Sequence, residues 1–258
     1  MWEEQLQSAI EAAKLAAKEI LSVYNTDFEV EIKDDKSPVT IADKKSDKVI
    51  RDFLLSRYPK YAFLTEEGKD DLSRIDKEFV WIIDSLDGTE LFVKHIDTFA
   101  INIALCNFHE IVVGLVYLPC TGEYYYATKN GGSFYFDGET LKKIRVSNKV
   151  NNLTCILSVL HADEKEKEII KKQCNQITNI NYFSASPKHC YIARGLADIT
   201  YKFTSNSKEW DIAPCDIIVK EAGGVFIDST GKEFIYNKEN VNNTNGYISA
   251  NKRENILL

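Results

Sequence analysis

The stretch Trp81-Ile82-Ile83-Asp84-Ser85-Leu86-Asp87-Gly88-Thr89 constrains this chain more than any other. It opens on apolar residues of high strand propensity and then turns abruptly polar. Two carboxylates stand three positions apart, followed by a glycine, a hydroxyl and a predicted helix over Glu90 to Lys94. A buried strand ending in D-x-x-D-G-T brings two acids and a row of unpaired backbone N–H groups to one spot. Hard divalent cations take carboxylate oxygens, and a helix N-terminus takes phosphate. The segment reads as a place where metal and phosphate meet. The competing reading is a plain strand-to-helix corner, because Asp, Gly and Thr are also turn and cap residues.

Around it the pattern predicts a mixed α/β chain. Leu6, Ile10, Ala13, Ala17, Ile20, Leu21 and Tyr24 share one face of a helix over residues 5–24. A short strand over Phe28 to Ile32 leads into a charged loop that contains Lys33 and Asp35. A second helix starts at Thr40 and ends before Pro59, with Asp43 in its first turn. Thr40 and Asp43 fit a capping box as readily as a site. Ala62 to Thr65 reads as a strand ending in Glu66-Glu67. After the central stretch comes an antiparallel meander: Thr98 to Cys106, Ile111 to Leu118 and Glu123 to Thr128. A turn at Asn130-Gly131-Gly132 then leads to a return strand from Phe134. The middle strand is apolar on both faces, as a strand covered on both sides should be.

Near residue 146 strands and helices begin to alternate, so we expect two fused subdomains, residues 1–145 and 146–258, sharing one layered core. Strands are predicted at Thr154 to Val159, near Tyr182, and at Ile199 to Phe203, Val225 to Asp228 and Gly246 to Ala250. Helices are predicted at Asp163 to Cys174, Pro187 to Gly195, and Ile212 to Ala222 with Asp211 in front as its cap. The charge run from Asp163 to Lys172 reads as a solvated helix face.

Net charge narrows the partners. At −7 over 258 residues, the chain lacks the cationic surplus that binding a nucleic-acid polymer needs. A small anionic ligand bridged to the acids by cations remains compatible. The N-terminal MWEEQLQSAI is not a secretion signal, and the apolar run IVVGLVYL is too short for a membrane span. Six cysteines without C-x-x-C spacing suggest reduced thiols, so a cytoplasmic location is expected.

Asp43, Glu66, Asp84, Asp87 and Asp211 all fall at a strand mouth or in a helix first turn. Two carboxylates ~4 Å apart repel by roughly 4 kcal/mol at an effective dielectric of ~20. A convergence of several therefore requires cations, and Mg²⁺ fits because it leaves positions for phosphate and water. The histidines His95, His109, His161 and His189 lack zinc-ligand spacing.

Four stretches in order carry a resemblance: Ser37-Pro38-Val39-Thr40-Ile41-Ala42-Asp43, Glu66-Glu67, Trp81 to Thr89, and Trp210-Asp211. With them the chain resembles the Mg²⁺-dependent, lithium-sensitive phosphatases of the inositol monophosphatase superfamily over nearly its whole length. Ser85 departs from the family's usual proline, which is expected to loosen the backbone between the two acids. Within the superfamily the likeness is greatest to bacterial 3′(2′),5′-bisphosphate nucleotidases. It rests on Gly88-Thr89-Glu90-Leu91-Phe92, Asn102-Ile103-Ala104-Leu105, Ser184-Ala185-Ser186-Pro187-Lys188 and Glu209-Trp210-Asp211. Their S-R-S-H reads Ser158-Val159-Leu160-His161 here, without the arginine.

The resemblance implies a layered α-β-α-β-α sugar-phosphatase-like fold and hydrolysis of 3′-phosphoadenosine 5′-phosphate to AMP, in a sulfur-metabolic setting. It implies two or three Mg²⁺ ions held by Glu66, Asp84, the Leu86 carbonyl, Thr89, Asp87 and Asp211. Glu66, with Thr89 polarised by Asp43, would take the proton of the attacking water. Gly88 and Thr89 would hold the phosphate through their backbone. His161, Ser184, Lys188 and Arg194, with Asp211, would meet the rest of the substrate, beside the loop carrying Lys33 and Asp35. The alternatives are an inositol or other sugar phosphatase, and a non-catalytic metal-dependent phosphate sensor. Monomer and homodimer both stay open.

Overall fold

A computed structural model describes residues 1–33, 37–172, 175–183, 185–204 and 207–256. The predicted α/β layering is observed. Seven strands form one sheet in the order β3-β4-β5-β6-β7-β8-β9. They are β3 (Ala62–Thr65), β4 (Phe79–Asp87), β5 (Ala100–Asn107), β6 (Glu110–Tyr117), β7 (Tyr124–Thr128), β8 (Gly132–Phe136) and β9 (Leu141–Ile144). Only β3 and β4 run parallel; β5 to β8 are the predicted meander, and β9 continues it antiparallel. A second sheet has the order β11-β10-β12-β14-β13. Its strands are β10 (Leu153–Leu157), β11 (Ile177–Tyr182), β12 (Ile199–Lys202), β13 (Val225–Ile227) and β14 (Tyr247–Ala250). A hairpin of β1 (Val30–Ile32) and β2 (Pro38–Thr40) stands apart.

Helices fill the layers between. Alternate residues of β4 point to opposite sides: Trp81 and Ile83 pack with α1 (Glu3–Tyr24) and α2 (Ile41–Arg57), and Val80 and Ile82 face the other way. On that second side lie α5 (Pro187–Ala193) and α6 (Glu209–Glu221), which also meet Phe226 and Tyr247 of the second sheet. The outer face of that sheet is closed by Ile170 of α4 (Glu164–Lys172). The order is α-β-α-β-α. A short helix, α3 (Thr89–Val93), follows β4 directly. Among the described residues no helix is long and apolar enough to cross a membrane.

The close approach of α6 to the first sheet depends on small residues. Gly114 pairs with Ala104 on one side and Ala127 on the other, making a shallow row across β5, β6 and β7. A Cβ at Gly114 would lie 2.4 Å from Ile217 Cγ2 and 2.7 Å from the Pro214 carbonyl oxygen. Gly114→Val is therefore expected to destabilise the protein by about 3 kcal/mol or more through overpacking. That corresponds to a loss of about 6–12 °C in a thermal melt.

One boundary at the site differs from the sequence reading. Helix α6 starts at Glu209, so Asp211 sits inside its first turn and is not a cap in front of it. Pro214 can be housed in this helix because the Trp210 carbonyl, which a proline cannot bond, accepts from Asn102 Nδ2 at 3.4 Å. The strands β2 and β9 also escape the sequence pattern, since each is short and paired at an edge.

Candidate active site

The mouth of β4 is built by a break in its ladder. Pairing with β5 shifts register between Asp84 and Asp87, so the irregularity falls at Ser85 and Leu86 while both acids stay paired with β5 and line one cavity with Asp211. Gly88 then adopts φ 92°, a left-handed conformation natural to glycine, and starts α3 at Thr89. The first N–H groups of that turn have no intrahelical partner.

Asp84, Asp87 and Asp211 are each fixed through one oxygen. Asp84 Oδ1 accepts from the Leu86 N–H at 3.0 Å. Asp87 Oδ2 accepts from the Ser186 N–H at 2.6 Å and from Asn102 Nδ2 at 3.2 Å. Asp211 Oδ2 accepts from the Lys208 N–H at 2.7 Å. Asp43, 2% exposed, lies behind the others. Its Oδ2 accepts from the Thr40 N–H and hydroxyl, both at 2.7 Å, and its Oδ1 accepts from the Thr89 hydroxyl at 2.8 Å. The capping box and the link to Thr89 are thus both present, one on each oxygen. Thr89 Oγ1 also lies 3.3 Å from the Leu86 carbonyl oxygen. The Ser85 hydroxyl donates to the Asp43 carbonyl at 3.1 Å, so serine pins this backbone to α2 and does not loosen it.

Glu66, Asp84, Leu86, Asp87, Gly88, Thr89 and Asp211 line one cavity of about 870 Å³. Burial first, then Glu66, Asp87 and Asp211, raises Asp84 well above the ordinary carboxylate range. Burial, then Asp87 and Glu66, pushes Asp211 up to about 8. Burial raises Asp87 as well. Lys33 reaches across from the β1–β2 hairpin, its Nζ 2.9 Å from Glu66 Oε1 and in contact with Glu67. Among the described residues no three acidic, imidazole or thiol groups form a ready-made cation cage. The donor chemistry still fits Mg²⁺: the oxygens are hard, and the raised pKa values record a deficit of positive charge that a divalent cation would fill.

The far side of the cavity belongs to the second sheet and its helices. Lys188, Lys202, His161 and Tyr247 line it. Lys188 Nζ sits 5.3 Å from the centre of the Tyr247 ring. Burial opposes the Lys188 charge, but Tyr247 and Asp87 outweigh it and raise its pKa. Lys202 Nζ donates to the His161 carbonyl at 3.0 Å. His161 itself is exposed, its Nε2 3.3 Å from Glu90 Oε2. Ser184 and Asp35 lie outside the described residues. Arg194 does not join the site. Its guanidinium stacks 3.9 Å over the Tyr135 ring and donates toward the Tyr125 hydroxyl at 3.5 Å, held by aromatic strands β7 and β8.

The match to known proteins covers this whole arrangement. The family model of the inositol monophosphatase family spans residues 1–257. The chain belongs to the inositol monophosphatase family. It is therefore a member of a metal-dependent phosphatase family acting on small phosphate esters. It is 29% identical to the 3′(2′),5′-bisphosphate nucleotidase CysQ of Aggregatibacter actinomycetemcomitans over 90% of this chain and 87% of that protein. It is 30% identical to an inositol monophosphatase of Mesembryanthemum crystallinum over 89% and 87%. Among solved structures, CysQ from Bacteroides thetaiotaomicron superposes with a TM-score of 0.84 at 28% identity, covering 97% of this chain and 98% of that one.

Several residues at this family site escape sequence reasoning. Asn102 and the Ser186 backbone fix Asp87, and the only signal for them is that both lie in the stretches shared with the nucleotidases. Lys202 and Tyr247 sit in strands that read as plain structural elements. Glu166 corrects an expectation outright: within the run taken as a solvated face, it is 1% exposed and lines the cavity. Burial pushes it up to about 7.

Proposed function

We propose that this family member is a Mg²⁺-dependent 3′(2′),5′-bisphosphate nucleotidase that converts 3′-phosphoadenosine 5′-phosphate to AMP and phosphate. The observation that carries the reading is that Lys188 and Lys202 line the same cavity as the carboxylates. A monoester needs only the acids. A second phosphate gives the lysines their partner, and Lys202, bonded to the His161 carbonyl, takes the place of the arginine missing before His161.

In this reading Glu66, Asp84, Asp87, Asp211 and the Leu86 carbonyl hold two or three Mg²⁺ ions. Bound Mg²⁺ supplies water of lowered pKa and neutralises charge on the leaving oxygen. The chain does the positioning. The Thr89 hydroxyl directs its proton to Asp43 Oδ1, which leaves its lone pairs facing the cavity to accept a proton from water, with Glu66 as the second acceptor. The N–H groups at Gly88 and Thr89 orient the phosphate. Lys188 and His161 orient the remainder, with Ser184 assigned to the same role.

A second reading, an inositol or sugar phosphatase, is favoured by the comparable 30% identity to the Mesembryanthemum enzyme. Phosphate release from 3′-phosphoadenosine 5′-phosphate and from inositol 1-phosphate separates the two. The nucleotide is expected to be preferred by at least ~10-fold in kcat/KM, about 1.4 kcal/mol, with activity lost in EDTA and reduced by Li⁺. The reverse preference would transfer the assignment to the second reading. Mg²⁺ binding without release from either ester would point to a sensor.

A further inference from the structure

One group on the cavity wall has no part in the phosphate chemistry. Glu166 stands in the first turn of α4. Its Oε2 accepts from the Asp163 N–H at 3.2 Å, and its own N–H donates to Asp163 Oδ1 at 2.8 Å, a reciprocal cap. The cap uses one oxygen. The other, Oε1, is buried and has no hydrogen-bond donor. A solvent-facing glutamate would cap the helix as well, so capping does not explain why this carboxylate is 1% exposed at a cavity wall. A buried carboxylate oxygen without a donor is unfavourable and calls for a partner.

The position of Glu166 tells which partner. Lys188 and Glu166 line the same cavity as the acids, and the Lys188 charge acts on both Asp87 and Glu166, while Lys202 on the same wall acts more strongly on Glu166. The Tyr247 hydroxyl likewise senses both Asp211 and Glu166. A phosphate ester that is seated at the acids and fills this cavity therefore reaches Glu166. A second phosphate is repelled there and drawn to the lysines. A hydroxyl or amine is attracted. The terminal torsion of a glutamate is broad, so a modest turn presents Oε1 to such a group.

We propose that Glu166 is a specificity-determining residue, accepting at Oε1 a hydrogen bond from a hydroxyl or amine on the non-reacting part of the ester. The proposal rests on the phosphatase reading above and deepens it. Glu166→Gln tests it, because the amide oxygen retains the cap to Asp163 while an N–H₂ donor replaces the free oxygen. The full chain is assayed with Mg²⁺ at pH 8, where the carboxyl is ionised. The esters are 3′-phosphoadenosine 5′-phosphate, its inosine counterpart lacking the amine, its 2′-deoxy counterpart lacking the hydroxyl, and inositol 1-phosphate.

The expected result is a rise in KM for the adenosine ester of about 10-fold or more, as for loss of a hydrogen bond to a charged group, with kcat within about 2-fold. The analogue lacking the true donor already has a raised KM with the wild type, and Glu166→Gln adds nothing further. A purely structural glutamate moves Tm or kcat and treats every ester alike. KM values within about 2-fold of wild type on all esters would overturn the proposal. Should the wild type act on inositol 1-phosphate only, the nucleotide reading fails separately, and the KM of that ester then decides on Glu166. If Glu166→Gln does not fold, Glu166→Asp keeps charge and cap but withdraws the oxygen. The same KM split is expected of it, and its absence counts against the proposal.

Discussion

Replacing Asp84 by asparagine is expected to reduce turnover by at least ~1,000-fold, about 4 kcal/mol of transition-state stabilisation, and yet to make the cation-free protein more stable. Both effects have one cause. Asp84 is buried beside Glu66, Asp87 and Asp211, and their repulsion together with burial raises its pKa far above the ordinary value. Asparagine keeps an acceptor for the Leu86 N–H, which Asp84 Oδ1 holds at 3.0 Å, so the turn at the mouth of β4 survives. It removes the charge, and with it the oxygen proposed to hold Mg²⁺. Phosphate release and a thermal melt in EDTA at pH 8 measure the two sides. Near-wild-type turnover would reject the metal role of Asp84. A lower melting temperature in EDTA would reject the account of its electrostatics.

That opposition between stability and activity also bounds what a sequence can disclose. The strand β4 is legible because both of its faces are covered, and its short apolar run is rich in β-branched and aromatic residues and ends in turn residues. The acids Asp84 and Asp87 are legible because D-x-x-D-G-T brings them out at the strand end. The link from Asp43 to Thr89 joins residues 46 positions apart, and only resemblance to a family anticipates it. Glu166 shows the limit more sharply. In Glu164-Lys165-Glu166-Lys167-Glu168 every second residue is acidic, and no local pattern marks the middle one as buried. Its burial comes from the packing of α4 onto the second sheet. Arg194 fails in the opposite sense: a cation near a substrate motif looks functional until Tyr135 and Tyr125 claim it. Within α6 the bond lost at Pro214 is made good by Asn102 of β5, a tertiary partner that no local pattern names.

The stability of the metal-free protein should fall as pH rises from about 4 to 8, and Mg²⁺ should reverse the fall. The sign follows from linkage. Asp84, Asp87 and Asp211 have folded pKa values above the ordinary aspartate value of 3.8, with Asp211 at about 8. Between those limits the folded state binds more protons than the unfolded chain, so unfolding becomes easier with each step up in pH. Below about pH 4 both states are protonated and the effect vanishes. Glu166, raised to about 7 by burial, adds to the same slope but stands outside the acid cluster, so Mg²⁺ should not remove its share. At 100 times its dissociation constant a ligand stabilises by about 2.7 kcal/mol, or about 5–11 °C for a chain of this size. Mg²⁺ is expected to give a shift of that order at pH 8 and less than half of it at pH 5, where protons compete for the same oxygens. Binding at pH 7 should accordingly release protons, read as a buffer-dependent heat in titration calorimetry. Asp84→Asn should flatten the slope in EDTA and lose most of the Mg²⁺ shift. A larger Mg²⁺ shift at pH 5 than at pH 8 would rule out these acids as the ligands, since protonation would then be helping the ion to bind.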